Sequence, residues 1–129
     1  MNSQGVKDGH IEMRDLHWSP AEKAIARKAF EAALEREFKA VIAETKKMAG
    51  KIEGPSELWE LERYLGERRK EINQTYDYRY SVLPLVFGKL IREGRLDEKE
   101  LHGLGADKLL YIRRAAALWF QLEPGWLLR

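Results

Sequence analysis

The chain has no cysteine, which excludes a disulfide framework, a thiolate nucleophile and a cysteine-ligated metal site. It also lacks any uninterrupted apolar run of about 18 residues, so we expect no helix that spans a membrane. Residues 1–15 carry several charges and contain no apolar stretch of the kind found in signal peptides. These absences predict a soluble protein in the cytoplasm.

An excess of charge of either sign is missing as well. The 129 residues include 23 basic and 21 acidic side chains, which leaves a net charge of +2. This balance gives no electrostatic indication that the partner is a nucleic acid or an anionic membrane. The length is that of a single domain.

Common catalytic signatures are also absent from the sequence. It contains no glycine-rich dinucleotide motif, no P-loop, no HExxH and no GxSxG. His10, His17 and His102 lie in different segments, without the spacing of metal ligands. We therefore expect no catalytic residue, no metal site and no cofactor. A small helical enzyme that uses arginine and glutamate side chains stays open as an alternative.

The residues that are present predict helices. Ser19 and Glu22 flank Pro20 in the pattern of a capping box, so a first helix should begin there and end near residues 50–55. Apolar residues then recur at steps of three, four or seven, which predicts one helix over residues 58–94. Pro84 should kink this helix near residues 80–83. The residues of the stripe are Leu58, Leu61, Leu65, Ile72, Tyr76, Leu83, Phe87 and Leu90.

Two shorter helices should follow. Asp97 and Glu100 form a second capping box, and a last helix should cover about residues 106–121. The predicted fold class is all-α: two long helices in an antiparallel hairpin, plus two short C-terminal helices. The predicted divisions are a flexible N-terminus (1–17), a single helical domain (18–123) with a stalk (about 19–83) and a head (about 84–121), and an apolar tail (124–129).

A hairpin of two amphipathic helices leaves part of each apolar stripe in water, so the stalk needs a further covering element. A second copy would close a four-helix bundle, which predicts a homodimer. The C-terminal helices folding back on the hairpin are the alternative. The residues predicted for the core or the dimer seam are Leu58, Leu61, Leu65, Ile72 and Tyr76.

Some aromatic residues lie off this stripe, among charged side chains, as anchors of protein interfaces often do. They are Trp59, Tyr64, Tyr78 and Tyr80. Trp59 could equally close the bundle within a dimer. Residues 97–120 have the outline of a helix-turn-helix, which keeps a nucleic-acid-binding regulator as an alternative. Its second helix opens with Asp107 and two leucines rather than with polar donors, so we do not expect a nucleic acid partner.

Many residues keep register with the cyanobacterial fluorescence recovery protein family, which the chain resembles over about residues 18–113. They are Trp18-Ser19, Ala21-Glu22, Phe30, Arg36-Glu37, Leu58-Trp59, Leu61, Leu65, Arg69, Glu71-Ile72, Tyr76-Asp77, Arg79, Ser81-Val82, Val86-Phe87, Leu90, Glu93-Gly94, Glu100-Leu101, Leu104 and Ala106-Asp107-Lys108. The resemblance implies an antiparallel homodimer with a helical stalk and small helical heads. It also implies a non-catalytic regulator that binds the photoactivated orange carotenoid protein, promotes its detachment from the phycobilisome antenna and accelerates its return to the orange form.

The resemblance also implies a partner-binding site. The family's tryptophan and arginine are present as Trp59 and Arg69, whereas Glu62 and Arg63 stand where the family has a histidine and an aspartate. In the head, Leu85 and Tyr111 stand where the family has a phenylalanine and a lysine. These differences favour, as an alternative, a diverged homologue that regulates or scaffolds another protein partner.

Overall fold

The computed structural model describes residues 12–122, and none of them lies in a β-strand. The predicted all-α class is therefore confirmed. Short 3₁₀ turns precede the first helix (Met13–Asp15) and the last one (Glu98–Leu101). The helices are α1 (Pro20–Ala49), α2 (Pro55–Thr75), α3 (Leu83–Arg92) and α4 (Ala106–Leu122). The predicted apolar tail lies outside the described residues.

Both predicted capping boxes form. The Ser19 hydroxyl accepts a hydrogen bond from the Glu22 amide, and the Glu22 carboxylate accepts one from the Ser19 amide. At the second 3₁₀ turn the Glu100 carboxylate accepts a hydrogen bond from the Asp97 amide, and the Asp97 carboxylate accepts one from the Lys99 amide. These bonds satisfy amide donors that the first helical turn leaves without partners, which is why each element begins where the sequence predicts.

The prediction of one helix over residues 58–94 is wrong. α2 ends at Thr75 and α3 begins at Leu83, with an irregular segment (76–82) between them. Pro84 lies in the first turn of α3, where its missing N–H costs no helical hydrogen bond, so it starts a helix instead of kinking one. A full break allows α3 to leave the line of α2 and pack against α4.

Aromatic side chains of the irregular segment pack into the molecule. Tyr78 lies edge-on to Phe30 with ring centroids 4.8 Å apart, and Tyr80 lies 5.3 Å from the Trp18 ring. Both tyrosines are partly buried against the main core. Tyr78 and Tyr80 therefore pack against the core instead of standing fully exposed, because Phe30 of α1 and Trp18 cover part of their rings. A role for them as interface anchors stays a prediction.

The main core joins the first half of α1 to α3, the second 3₁₀ turn and α4. Its fully buried side chains include Leu83, Phe87, Leu90, Leu101 and Ile112. α3 and α4 cross at Gly88, where an added Cβ would lie 2.5 Å from the Cβ of Ala115. We call this unit the head, and the second half of α1 with α2 the stalk. The predicted division at residues 83–84 stays a prediction, although the buried core includes residues on both sides of it.

Candidate functional site

Large apolar side chains stand exposed along the stalk. Phe38 and Ile42 on α1 are 48% and 52% exposed, and Leu58 and Leu65 on α2 are 45% and 40% exposed. We call these four residues the stalk face. Phe38 and Leu65 line one groove between α1 and α2, and exposed apolar surface that gathers in this way commonly marks an interaction site. α1 and α2 leave it open because a pair of helices covers only one side of each.

The residues predicted for the seam divide into two groups. Leu58 and Leu65 are exposed and Leu61 is half-buried, so they are available to a second copy. Ile72 is buried. Tyr76 packs edge-on against Phe30 within the same chain, with ring centroids 5.5 Å apart. Their role between two copies stays a prediction.

Sequence reasoning assigned the seam to α2 and did not assign Phe38 and Ile42 to it. The signal was present, because two large apolar residues four positions apart share one face of a helix. Many alanines accompany them on α1, and these obscure which stripe faces water.

The polar positions implied by the resemblance gather beside the stalk face. An open groove of about 650 Å³ runs between α1 and α2, with Phe38, Leu65 and Ile72 along its apolar side. Glu62, Arg63 and Arg69 line the same groove. These charged side chains therefore border the apolar surface that a second copy would cover, as the polar rim of an interface does.

Trp59 and Arg69 are both exposed on α2. The Trp59 side chain is 58% exposed. Arg69 is also exposed, and it makes no ion pair or hydrogen bond with any of residues 12–118. Arg63 lies 4.0 Å from Glu60 in an exposed pair of the kind that contributes little stability. These side chains can therefore meet a partner without losing strong contacts inside the chain. Together with Glu62 we call them the stalk patch.

The head positions lie apart from the stalk patch in the chain. Leu85 is exposed on α3, and Tyr111 is half-buried on α4. Both follow the irregular segment that ends the stalk. The structure therefore brings the four stalk positions onto one side of α2 but places the two head positions on other helices.

The described residues give no support for a metal site, a membrane-spanning helix or a nucleic-acid recognition helix. Across residues 12–122, no three histidine, aspartate or glutamate side chains are placed to hold a metal ion together. None of the helices in this part of the chain is long and apolar enough to cross a membrane. At the start of α4, Asp107 pairs with Lys108, and Arg113 is held by Glu98 at 2.6 Å. That end of α4 lacks the free basic donors of a recognition helix.

Comparison with known proteins identifies the family. The family described as the photoprotection regulator fluorescence recovery protein matches residues 18–116. The fluorescence recovery protein of Synechocystis sp. PCC 6803 is 35% identical over 108 residues, which cover 84% of this chain and 99% of that protein. Its solved structure superimposes with a TM-score of 0.75 at 37% identity, covering 78% of this chain and 99% of that one.

A second solved structure gives the same result. The Fremyella diplosiphon fluorescence recovery protein is 40% identical, with a TM-score of 0.75 and the same coverage of both chains. The likeness thus extends over nearly the whole length of these relatives, in sequence as well as in fold. The chain belongs to the fluorescence recovery protein family of photoprotection regulators.

Proposed function

We propose that this protein is a non-catalytic regulator that binds the photoactivated orange carotenoid protein and accelerates its return to the inactive orange form. The observation that carries the proposal is the exposed pair of Trp59 and Arg69, at the positions that the family resemblance gives to partner binding. Tryptophan and arginine are the residues most often found as energetic anchors of protein interfaces.

The regulator acts as an antiparallel homodimer in this proposal. The stalk face supports it, because burying four large apolar side chains against a second copy removes them from water at about 1.5 to 3 kcal/mol per fully buried side chain. An antiparallel arrangement pairs the stalk of one copy with the stalk of the other. It also presents two copies of the stalk patch.

Acceleration requires no chemical step. A protein that binds one conformation of its partner more tightly than another shifts the partner's population toward that conformation. Binding that favours the route to the orange form over the red form therefore speeds recovery in the dark. This mechanism needs an exposed interface and not an enclosed pocket, and the residues of the stalk patch are exposed.

The test is recovery of the purified red carotenoid protein in the dark, followed by its absorbance, with and without this protein. We expect faster recovery with the parent chain, and Trp59→Ala and Arg69→Ala should each reduce the acceleration by roughly tenfold or more. Leu110→Ala and Arg14→Ala are matched controls, because both side chains are exposed outside the stalk patch. Unchanged acceleration in both patch variants, with dimer mass and helicity retained, would reject the proposed site.

A diverged regulator of another protein is the second candidate. The observation that favours it is the charge of the stalk patch, where Arg63 replaces an acidic residue of the family and lines the groove beside Arg69. Two cations there would repel a partner surface that offers a cation to the family's aspartate. No acceleration by an intact, folded dimer would favour this candidate.

A further inference from the structure

Glu37 is a buried carboxylate at the point where the stalk meets the head. It lies in the middle of α1, and its side chain is only 6% exposed. The α1 residues before it belong to the core of the head, and those after it carry the stalk face. A carboxylate buried to this degree is unfavourable unless cations and hydrogen-bond donors surround it.

Two hydrogen-bond donors and one further cation, from three different elements, surround Glu37. Arg68 of α2 donates a hydrogen bond to Oε2, and the Tyr76 hydroxyl of the irregular segment donates one to Oε1 at 3.0 Å. The Nε of Arg95, from the loop after α3, lies 3.2 Å from Oε1 as an ion pair without the alignment of a hydrogen bond. We call Glu37 and these three residues the joint.

The joint restricts geometry in a way that apolar packing does not. Hydrogen bonds to charged groups are short and directional, whereas apolar contacts tolerate sliding of one surface on another. The three side chains converge on one carboxylate only when α2, the irregular segment and the loop after α3 hold one arrangement. A further contact joins α3 to α2 in the same region: the Nζ of Lys89 donates a hydrogen bond to the hydroxyl of Thr75 at the end of α2.

We propose that Glu37 is a positioning residue that fixes the orientation of the head on the stalk. Its consequence for binding rests on the function proposed above. A partner that contacts Trp59 and Arg69 on the stalk as well as Leu85 and Tyr111 in the head must find both sets at a fixed separation. The joint holds that separation before binding, so the partner does not bear the cost of ordering it.

A small cavity beside the joint makes this idea testable without unfolding the protein. The cavity has a volume of about 150 Å³ and is lined by Glu37, Arg68, Thr75, Tyr76 and Lys89, among others. Glu37→Gln keeps the shape and some accepting capacity but removes the charge, and water in this polar cavity can hydrate Arg68. The helices should therefore persist while the orientation relaxes.

The decisive measurement is a distance within one chain. The absence of native cysteine allows one cysteine to be placed at each of two exposed positions, Glu67 on α2 of the stalk and Arg114 in the head. Spin labels there, in chains diluted with excess unlabelled protein, report the head-to-stalk distance by pulsed electron resonance. We expect one narrow distribution in the parent and a clearly broader or shifted one in Glu37→Gln. Glu35→Gln is the matched control, since Glu35 lies on α1 and is 70% exposed.

A distribution in Glu37→Gln equal to that of the parent overturns the proposal. If Glu37→Gln loses helicity, Arg95→Gln becomes the deciding variant, because it removes one cation of the joint and leaves Glu37 paired with Arg68. It should broaden the distribution, and an unchanged one overturns the proposal. In the recovery assay we expect Glu37→Gln to reduce acceleration by roughly tenfold. Full acceleration despite a broadened distance rejects the link to binding. An inactive parent rejects the proposed function while the distance result still stands.

Discussion

The carboxylate of Glu22 and the ammonium group of Lys108 form a buried ion pair of 3.0 Å between the first turns of α1 and α4. The same carboxylate accepts hydrogen bonds from the amides of Ser19 (2.9 Å) and Gly105 (2.6 Å). Burial opposes its ionisation, yet these amide bonds and Lys108 outweigh burial and lower the pKa of Glu22 to about 2. One side chain thus caps α1 and anchors the start of α4.

This pair predicts an acid-sensitive contribution to stability. The pKa of Glu22 is lower in the folded chain than its ordinary value of 4.5, so near that pH the folded state binds fewer protons than the unfolded state. The contribution is therefore complete above about pH 4.5 and is lost as the pH falls toward 2. We expect Glu22→Gln to lower the free energy of unfolding by about 2 to 4 kcal/mol at pH 7.

Urea unfolding of both proteins at pH 7, 4 and 3 measures this dependence. The difference between them should shrink as the pH falls, because the parent loses the ionised carboxylate that the variant never had. Glu31→Gln serves as the control, since Glu31 is an exposed residue of the same helix. A difference that stays constant from pH 7 to pH 3 would contradict the assignment.

The stalk face predicts the mass in solution. Light scattering on a sizing column at micromolar concentration should give about twice the chain mass of 15.1 kDa. Leu65→Glu should convert the dimer to the monomer mass, because it places an unpaired charge in the seam. Leu110→Glu introduces the same charge at an exposed leucine of the head and should leave the mass unchanged. A parent protein that elutes as a monomer would refute the dimer.

Two helical glycines predict opposite effects of the same substitution. At Gly88 an added Cβ would meet the Ala115 Cβ at 2.5 Å and the Ala116 amide at 2.8 Å, whereas at Gly66 nothing lies within 4 Å. Gly88→Ala should destabilise the protein by about 1 to 3 kcal/mol, because α3 and α4 must separate. Gly66→Ala should stabilise it by about 0.5 to 1 kcal/mol, because alanine favours the helix.

Thermal or urea unfolding compares these variants directly. Ala115→Gly combined with Gly88→Ala should recover part of the loss, since it removes the methyl group that the new one meets. Equal effects of the two glycine substitutions would show that the close crossing of α3 and α4 does not exist in solution.

The charge of the stalk patch predicts a gain of function. If the parent does not accelerate recovery of the carotenoid protein, the double change Glu62→His with Arg63→Asp should introduce acceleration, because it restores the charge pattern of the family. Opposite charges across an interface speed association, whereas like charges across it cost several kcal/mol of binding free energy. Arg63→Ala alone should give a smaller gain, since it removes repulsion without adding attraction. An intact double variant that stays inactive would show that charge is not the obstacle.

Much of the fold could be predicted from the sequence because helix boundaries depend on nearby residues. Ser19 and Glu22 accept hydrogen bonds from each other's amides, and Asp97 and Glu100 accept from amides of the first turn, so the elements begin where those residues stand. The positions of Trp59 and Arg69 on one side of α2 also follow from helical spacing alone. For this reason the all-α class and the placement of the stalk patch on one side of α2 could be predicted from the sequence.

The break at residues 76–82 could not be predicted in the same way. Leu83, Phe87 and Leu90 continue the spacing of Leu58 and Leu65, so periodicity alone extends the helix through them. Alternating tyrosines at 76, 78 and 80 gave a weak contrary signal, because a repeat of two does not suit a helix. The break is favourable only because α1 and Trp18 offer those rings an aromatic surface.

The sequence by itself determined where helices can begin, which residues share a helical face and that the apolar surface of the stalk exceeds what one hairpin covers. Tertiary structure decided that Tyr78 and Tyr80 pack against the core and that Glu37 is the buried centre of a joint. Nothing local distinguishes Glu37 from the exposed Glu35, because both stand on a charged, alanine-rich helix. Burial of a side chain depends on which distant segments reach it, and here Arg68, Tyr76 and Arg95 reach Glu37.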